Sequence, residues 1–134
     1  MAQIQTISRD GISDPSFATQ ADLSALQYHF VKLDSNGFVV ACGANEKPLG
    51  ILQNAPDGSS EEATAAVRIQ GMSYLSVAEN VSFGDYLTST AASKGEVADA
   101  AGEDYGARSL GAYTAANGDA VVQIIFGEVE ASDA

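Results

Sequence analysis

The sequence predicts an all-β chain of the barrel or sandwich class, and three observations carry that prediction. Glycine, serine, threonine and alanine punctuate it at intervals of roughly eight to twelve residues, the spacing of short strands and their turns. Apolar side chains alternate along Tyr28 to Leu33, with Tyr28, Phe30 and Lys32 on one face and His29, Val31 and Leu33 on the other. The third observation is the stretch Ser109 to Gly127, SLGAYTAANGDAVVQIIFG. It reads as a strand over Leu110 to Thr114, a tight turn at Asn117-Gly118 and an apolar strand over Ala120 to Phe126, because primed hairpin turns need positive φ at their centre.

That stretch has an earlier echo. Pro48 to Gln70 repeats its outline: Leu49-Gly50 matches Leu110-Gly111, Pro56-Asp57-Gly58 matches Asn117-Gly118-Asp119, and Val67-Arg68-Ile69 matches Val122-Gln123-Ile124. Upstream, Tyr28 to Ala41 and Tyr86 to Ala98 share a strand-turn-strand outline. Two similar β-units in succession account for this better than one irregular domain. Short hairpins also resemble one another by chance, and the all-β reading does not depend on duplication.

Taken in order, residues 1–20 hold few core-forming side chains. Ile4, Ile7, Ile12 and Phe17 are separated by polar residues, and Gly11 and Pro15 break any period. One reading is a loose terminus. The other is an arm that orders on a partner, adding its backbone to a sheet edge and dropping those apolar side chains into pockets. Asp22 to Leu26 suits a bend or one helical turn before the Tyr28 strand. Asp34-Ser35-Asn36-Gly37 is a turn, and Phe38 to Ala41 pairs back. Pro48 opens the next strand, where a missing amide costs nothing at an edge. Asn54 to Thr64 is a projecting polar loop. Val67, Ile69, Leu75 and Val77 keep one parity across Gly71, which predicts two strand segments or one bent at the glycine. Ser82 to Asp85 is a turn. Ala91 to Asp104 is too polar for core and reads as surface strand and loop. After Phe126 the chain ends in an acidic tail expected to fray. The expected division is an arm over 1–20, a β-barrel domain over 21–127 and a tail over 128–134.

The 134 residues are enough for one core without metal or disulfide staples. Eighteen acidic against six basic residues give a net charge of −12, which opposes binding to nucleic acid or to anionic membranes. The single cysteine, Cys42, excludes an internal disulfide and is expected to be a small buried hydrophobe. No basic-then-apolar leader opens the chain and no apolar run is long enough to span a bilayer, so synthesis and folding in a cytoplasm are expected.

No chemistry-bearing constellation emerges. The acidic residues fall mostly in turns and tails (Asp34, Asp57, Glu61, Glu62, Asp99, Glu103, Asp104 and Asp119), where a solvated surface explains them. One histidine and one cysteine make a poor metal set, no calcium-loop or phosphate-loop spacing is present, and no cofactor is implied. The sequence points away from an enzyme.

Asp22-Leu23-Ser24-Ala25, Gln27-Tyr28, Phe30-Val31-Lys32-Leu33 and then Pro48-Leu49-Gly50-Ile51-Leu52-Gln53-Asn54 form a pattern that resembles the small capsid decoration, or cement, proteins of tailed bacteriophages. Gly84-Asp85-Tyr86-Leu87, Leu110-Gly111-Ala112 and the closing Val-Gln-Ile strand fit the same layout, over roughly Ala21 to Gly127. The Asn54 to Thr64 loop and the acidic composition depart from it in detail. The resemblance implies a compact β-barrel of the tulip kind on the outside of an expanded phage head. It implies a homotrimer that clamps the major capsid protein, with no nucleic-acid or membrane partner. Ile4, Ile7, Ile12 and Phe17 are the expected capsid anchors. Two rivals stand beside it: another virion β-module, such as a head-fibre base or tail part, and a small carbohydrate- or ligand-binding β-sandwich. For the latter, Tyr105 and Tyr113 are the candidate contact residues.

Overall fold

The computed structural model describes residues 11–60 and 62–130. These residues form β1 (Ser16–Ala18), β2 (Phe30–Leu33), β3 (Val39–Ala41), β4 (Gly50–Leu52), β5 (Thr64–Arg68), β6 (Met72–Ser76), β7 (Tyr86–Ser89), β8 (Gly95–Val97), β9 (Asp104–Ser109) and β10 (Asp119–Glu128), with a short 3-10 turn at Ala115–Asn117. The strands make two antiparallel sheets, ordered β1-β5-β4-β2-β3 and β6-β10-β9-β7-β8. The chain is all-β.

The second order is the first with every strand advanced by five, and the registers agree too. Ile51 lies between Phe30 on β2 and Arg68 on β5; Arg108 lies between Tyr86 on β7 and Gln123 on β10. Phe17 faces Ala65 as Leu75 faces Ala120, and Leu33 faces Val39 as Ser89 faces Gly95. The edges of each sheet also approach each other. In the second, Val77, just after β6, bridges Gly95 at the start of β8, and the Ala78 amide donates to the Gly95 carbonyl at 2.9 Å. In the first, Thr19, just after β1, donates its Oγ1 to the Val39 carbonyl at 2.8 Å. Each sheet therefore coils until its edges touch at one place, without a continuous closing ladder.

Coiling gives each sheet an inner face. Val31, Val39, Leu52, Ala65 and Val67 line the first, and Leu23 plugs it with Phe17 and Leu26. Leu75, Leu87, Ala107, Ala120, Val122 and Ile124 line the second. Phe30 and Ile51 alternate with Val31 and Leu52, so they leave the first sheet on its other side and pack with Cys42 into the second core. One strand, β2, thus feeds both cores, and full burial of each such side chain is worth about 1.5–3 kcal/mol. Cys42 is buried as expected.

Several local expectations change. Tyr28 has φ 65, so the strand starts at Phe30. Asp22 makes the bend before it by accepting from the Ser24 amide (3.1 Å) and hydroxyl (2.6 Å). Gly71, at φ 100, hands the chain from β5 to β6 and so between sheets; the parity run from Val67 to Val77 is two strands. Leu110 to Thr114 is not a strand. Tyr113 instead exchanges backbone hydrogen bonds with Val81, and the partner of β10 is Asp104–Ser109. Tyr105 to Ser109, expected only to lead into the hairpin, is thus itself an interior strand. Its small residues serve close packing: a methyl on Gly106 would meet Pro48 and Phe30.

Candidate functional site

The residues singled out at the N-terminus have different placements. Ile4 and Ile7 lie outside the described residues. Ile12 is half-buried, and its side chain sits where a methyl on Gly71 would be. Phe17 is on β1, half-buried against the first core. Ser13 to Ala18, within the span expected as an arm, runs along β5 of the same chain, so sheet addition occurs here inside the molecule. Arg68, 9% exposed, clamps this segment through Asp14. At the other end, Val129 donates to the Glu103 carbonyl and accepts from the Gly102 amide, both at 2.9 Å, so the expected tail is tied down at least to that residue.

Several carboxylates act as turn locks. Asp34 Oδ1 accepts from the amides of Asn36 (2.9 Å) and Phe38 (3.0 Å), and Glu103 Oε1 from those of Asp99 (3.0 Å) and Ala100 (2.8 Å). Hydrogen bonds from Ser59 hold the Asp57 carboxyl below the usual range, and those from Ser24 do the same for Asp22. Glu46 is lowered chiefly by its bond from Lys32 and then by the Gly43 amide. Glu96 shifts the other way: partial burial raises its pKa, reinforced by Glu79, Glu103 and Asp99. Among the described residues, no group of three or more histidine, cysteine, aspartate or glutamate side chains is placed to hold a metal ion, and no helix is long and apolar enough to cross a membrane.

The side chains that do converge lie on the second sheet. Tyr105 on β9 stacks on Tyr86 of β7, ring centroids 4.5 Å apart and planes at 33°. On its other flank lies Gly127, where a methyl would collide with the Tyr105 ring and hydroxyl. The ring is therefore a fixed wall, with a cleft on either side. One, about 400 Å³, is lined by Lys47, Asp104, Tyr105, Phe126, Gly127 and Glu128. The other, about 460 Å³, is lined by Tyr86, Ala98, Asp99, Tyr105, Glu128, Val129 and Glu130. Each has one open aromatic face: Phe126 (45% exposed) in the first and Tyr86 (40%) in the second. Nearby, Phe83 stands 65% exposed on its turn, with the Arg108 guanidinium 5.2 Å from its ring centre.

Of the two tyrosines proposed for ligand contact, Tyr105 is in this group and Tyr113 is not. Tyr113 packs against the second core and under Gly111. Sequence reasoning missed Tyr86 and Phe126, the latter for a definable reason. Val122, Ile124 and Phe126 share a parity, which would put all three inside. An extra residue on β10 between Ile124 and Gly127 breaks the register with β9 and turns Phe126 outward. The glycine after Phe126 was the one available signal.

No protein-family model matches this chain, and no curated protein matches it at a significant level.

Proposed function

We propose that this chain is a structural virion protein that binds the outside of an expanded phage head and stabilises it by bridging capsid subunits. The observation that carries the proposal is where the resembling segments fall. Phe30 to Leu33 is β2, Gly50 to Leu52 is β4, Tyr86-Leu87 opens β7 and Val122 to Ile124 lies in β10. These segments of the pattern lie in strands that carry both cores, whereas Asp22 to Tyr28 and Leu110 to Ala112 lie between strands. Two antiparallel sheets with one connectivity and matching registers are what a duplicated β-unit would give, and together they make the compact β body that the resemblance implies. A net charge of −12 suits a surface turned away from packaged DNA.

In this reading the body is rigid and non-enzymatic, and it works as a homotrimer against the major capsid protein. Phe17 is committed to its own core, which leaves Ile4 and Ile7, with Ile12 at the base, as the anchors. Each arm makes a modest contact, and trimerisation multiplies the hold through avidity.

The test is cosedimentation with expanded, undecorated heads of a phage that encodes the chain, using the full chain and one lacking residues 1–10. Cutting at residue 20 would strip β1 from its sheet and confuse the result. Saturable binding lost on truncation is the expected outcome. Binding that survives truncation moves the grip to the body, and no binding by the full chain to competent heads overturns the proposal.

A further inference from the structure

The two clefts beside Tyr105 share an acidic lining as well as an aromatic wall. Their walls carry Asp99, Asp104, Glu128 and Glu130 against a single cation, Lys47. None of these five forms an ion pair within the described residues, where the salt bridges are Lys32–Glu46 and Arg68–Asp14. Each cleft therefore offers one open aromatic face beside unpaired carboxylates, and Tyr105 and Glu128 are common to both. The wall is pre-set, because Tyr105 is held between Tyr86 and Gly127 before anything binds. The position also has an instructive counterpart. Phe30, which holds the Tyr86 place in the first sheet, is fully buried against the second core, whereas Tyr86 has no such cover.

We propose that this paired cleft docks a basic peptide segment, each half taking one lysine or arginine side chain over its aromatic face and beside its carboxylates. A cation over an aromatic ring gains modestly at an exposed site and more as water is excluded, and the carboxylates add direct pairing. Charge selects this occupant. A second copy of the chain would bring net negative charge onto four carboxylates, and nucleic acid would be repelled for the same reason. A neutral sugar could stack on the rings but would gain nothing from the unpaired acids. The inference stands apart from the decoration reading: it concerns the body, not residues 1–10, and either can fail alone.

The experiment is calorimetric titration of the full chain with a short Lys/Arg-rich peptide, a Gly/Ser peptide of the same length and a neutral oligosaccharide. The basic peptide alone should bind saturably, and more weakly as salt rises. Tyr86→Ala with Phe126→Ala leaves the charge intact and should weaken binding by about fivefold or more. Asp104→Asn with Glu128→Gln should weaken it by about tenfold, while removing two charges elsewhere, Glu62→Gln with Asp119→Asn, should change it by no more than about twofold. Peptide-induced amide shifts in the unaltered chain, centred on Tyr86, Tyr105, Phe126 and Gly127, provide a readout that needs no variant to fold. Equal losses from both charge pairs would reduce the effect to bulk attraction and overturn the proposal. So would no loss from the aromatic pair, preference for the oligosaccharide, amide shifts elsewhere, or no binding.

Discussion

The Arg68 guanidinium meets the Asp14 carboxylate at two points, Nε to Oδ1 at 2.7 Å and Nη2 to Oδ2 at 2.8 Å. Arg68 also donates Nη1 to the Met72 carbonyl at 2.9 Å. One side chain on β5 thus fastens the segment leading into β1 and the first residue of β6, where the chain leaves for the second sheet.

Breaking this clamp from the acid side should be costly. Asp14→Asn leaves a nearly buried guanidinium without its counter-charge and should destabilise the fold by about 1–3 kcal/mol. Urea unfolding measures this. Limited proteolysis should show new cleavage between Gly11 and Thr19, and Arg68→Met on the Asp14→Asn background should recover part of the loss.

Gly50 should not tolerate a methyl. Its Cβ would overlap the Arg68 carbonyl oxygen and crowd a Val67 methyl. Gly50→Ala is expected to lower stability by about 1–3 kcal/mol in thermal or urea unfolding. The matching place in the second sheet is Ala107, so the constraint is local crowding and not the strand register.

Thr88 points the other way. It is fully buried, and its Oγ1 is a buried side-chain polar atom without a hydrogen-bond partner among the described residues. Thr88→Val keeps the shape and removes the stranded hydroxyl, so stability should hold or rise by about 1 kcal/mol. A clear loss would show that the hydroxyl has a partner in solution.

Glu96 supplies a pH test with a defined sign. Its folded pKa is raised, first by burial and then by Glu79, Glu103 and Asp99, so its ionised form opposes folding. The neutral acid's relative advantage is complete below the ordinary glutamate pKa and is lost as pH rises through the folded value. Glu96→Gln should raise Tm near neutral pH and leave it unchanged near pH ~4. The depressed Asp22, Glu46 and Asp57 act oppositely: their contribution is present above the ordinary carboxylate range and fades as pH falls through their folded values.

Cys42 is 1% exposed, its Sγ donates to the Glu46 carbonyl at 3.4 Å, and burial pushes its pKa up. Alkylation of the native protein at mildly alkaline pH should be slow and should accelerate with urea in step with unfolding. Fast modification of the folded chain would contradict this burial.

The sequence by itself determined the all-β class, the Asp34 to Gly37 turn, the Asn54 to Thr64 loop and the core positions Val67 and Val122, because alternation and turn chemistry are local properties of a chain. It also showed a similar outline in the two halves, but with Leu49-Gly50 set against Leu110-Gly111, whereas the ladders set Gly50 against Ala107. Tertiary structure alone decided three things. It made Asp104–Ser109, in place of Leu110 to Thr114, the strand beside β10, because small residues at Gly106 and Ala107 let it pack between neighbours on both sides. It gave Phe17 to the chain's own core, because β5 had a free edge to pair. And it turned Phe126 out beside Tyr105 and Tyr86, because one extra residue in β10 reverses the alternation on which any reading of strand faces depends.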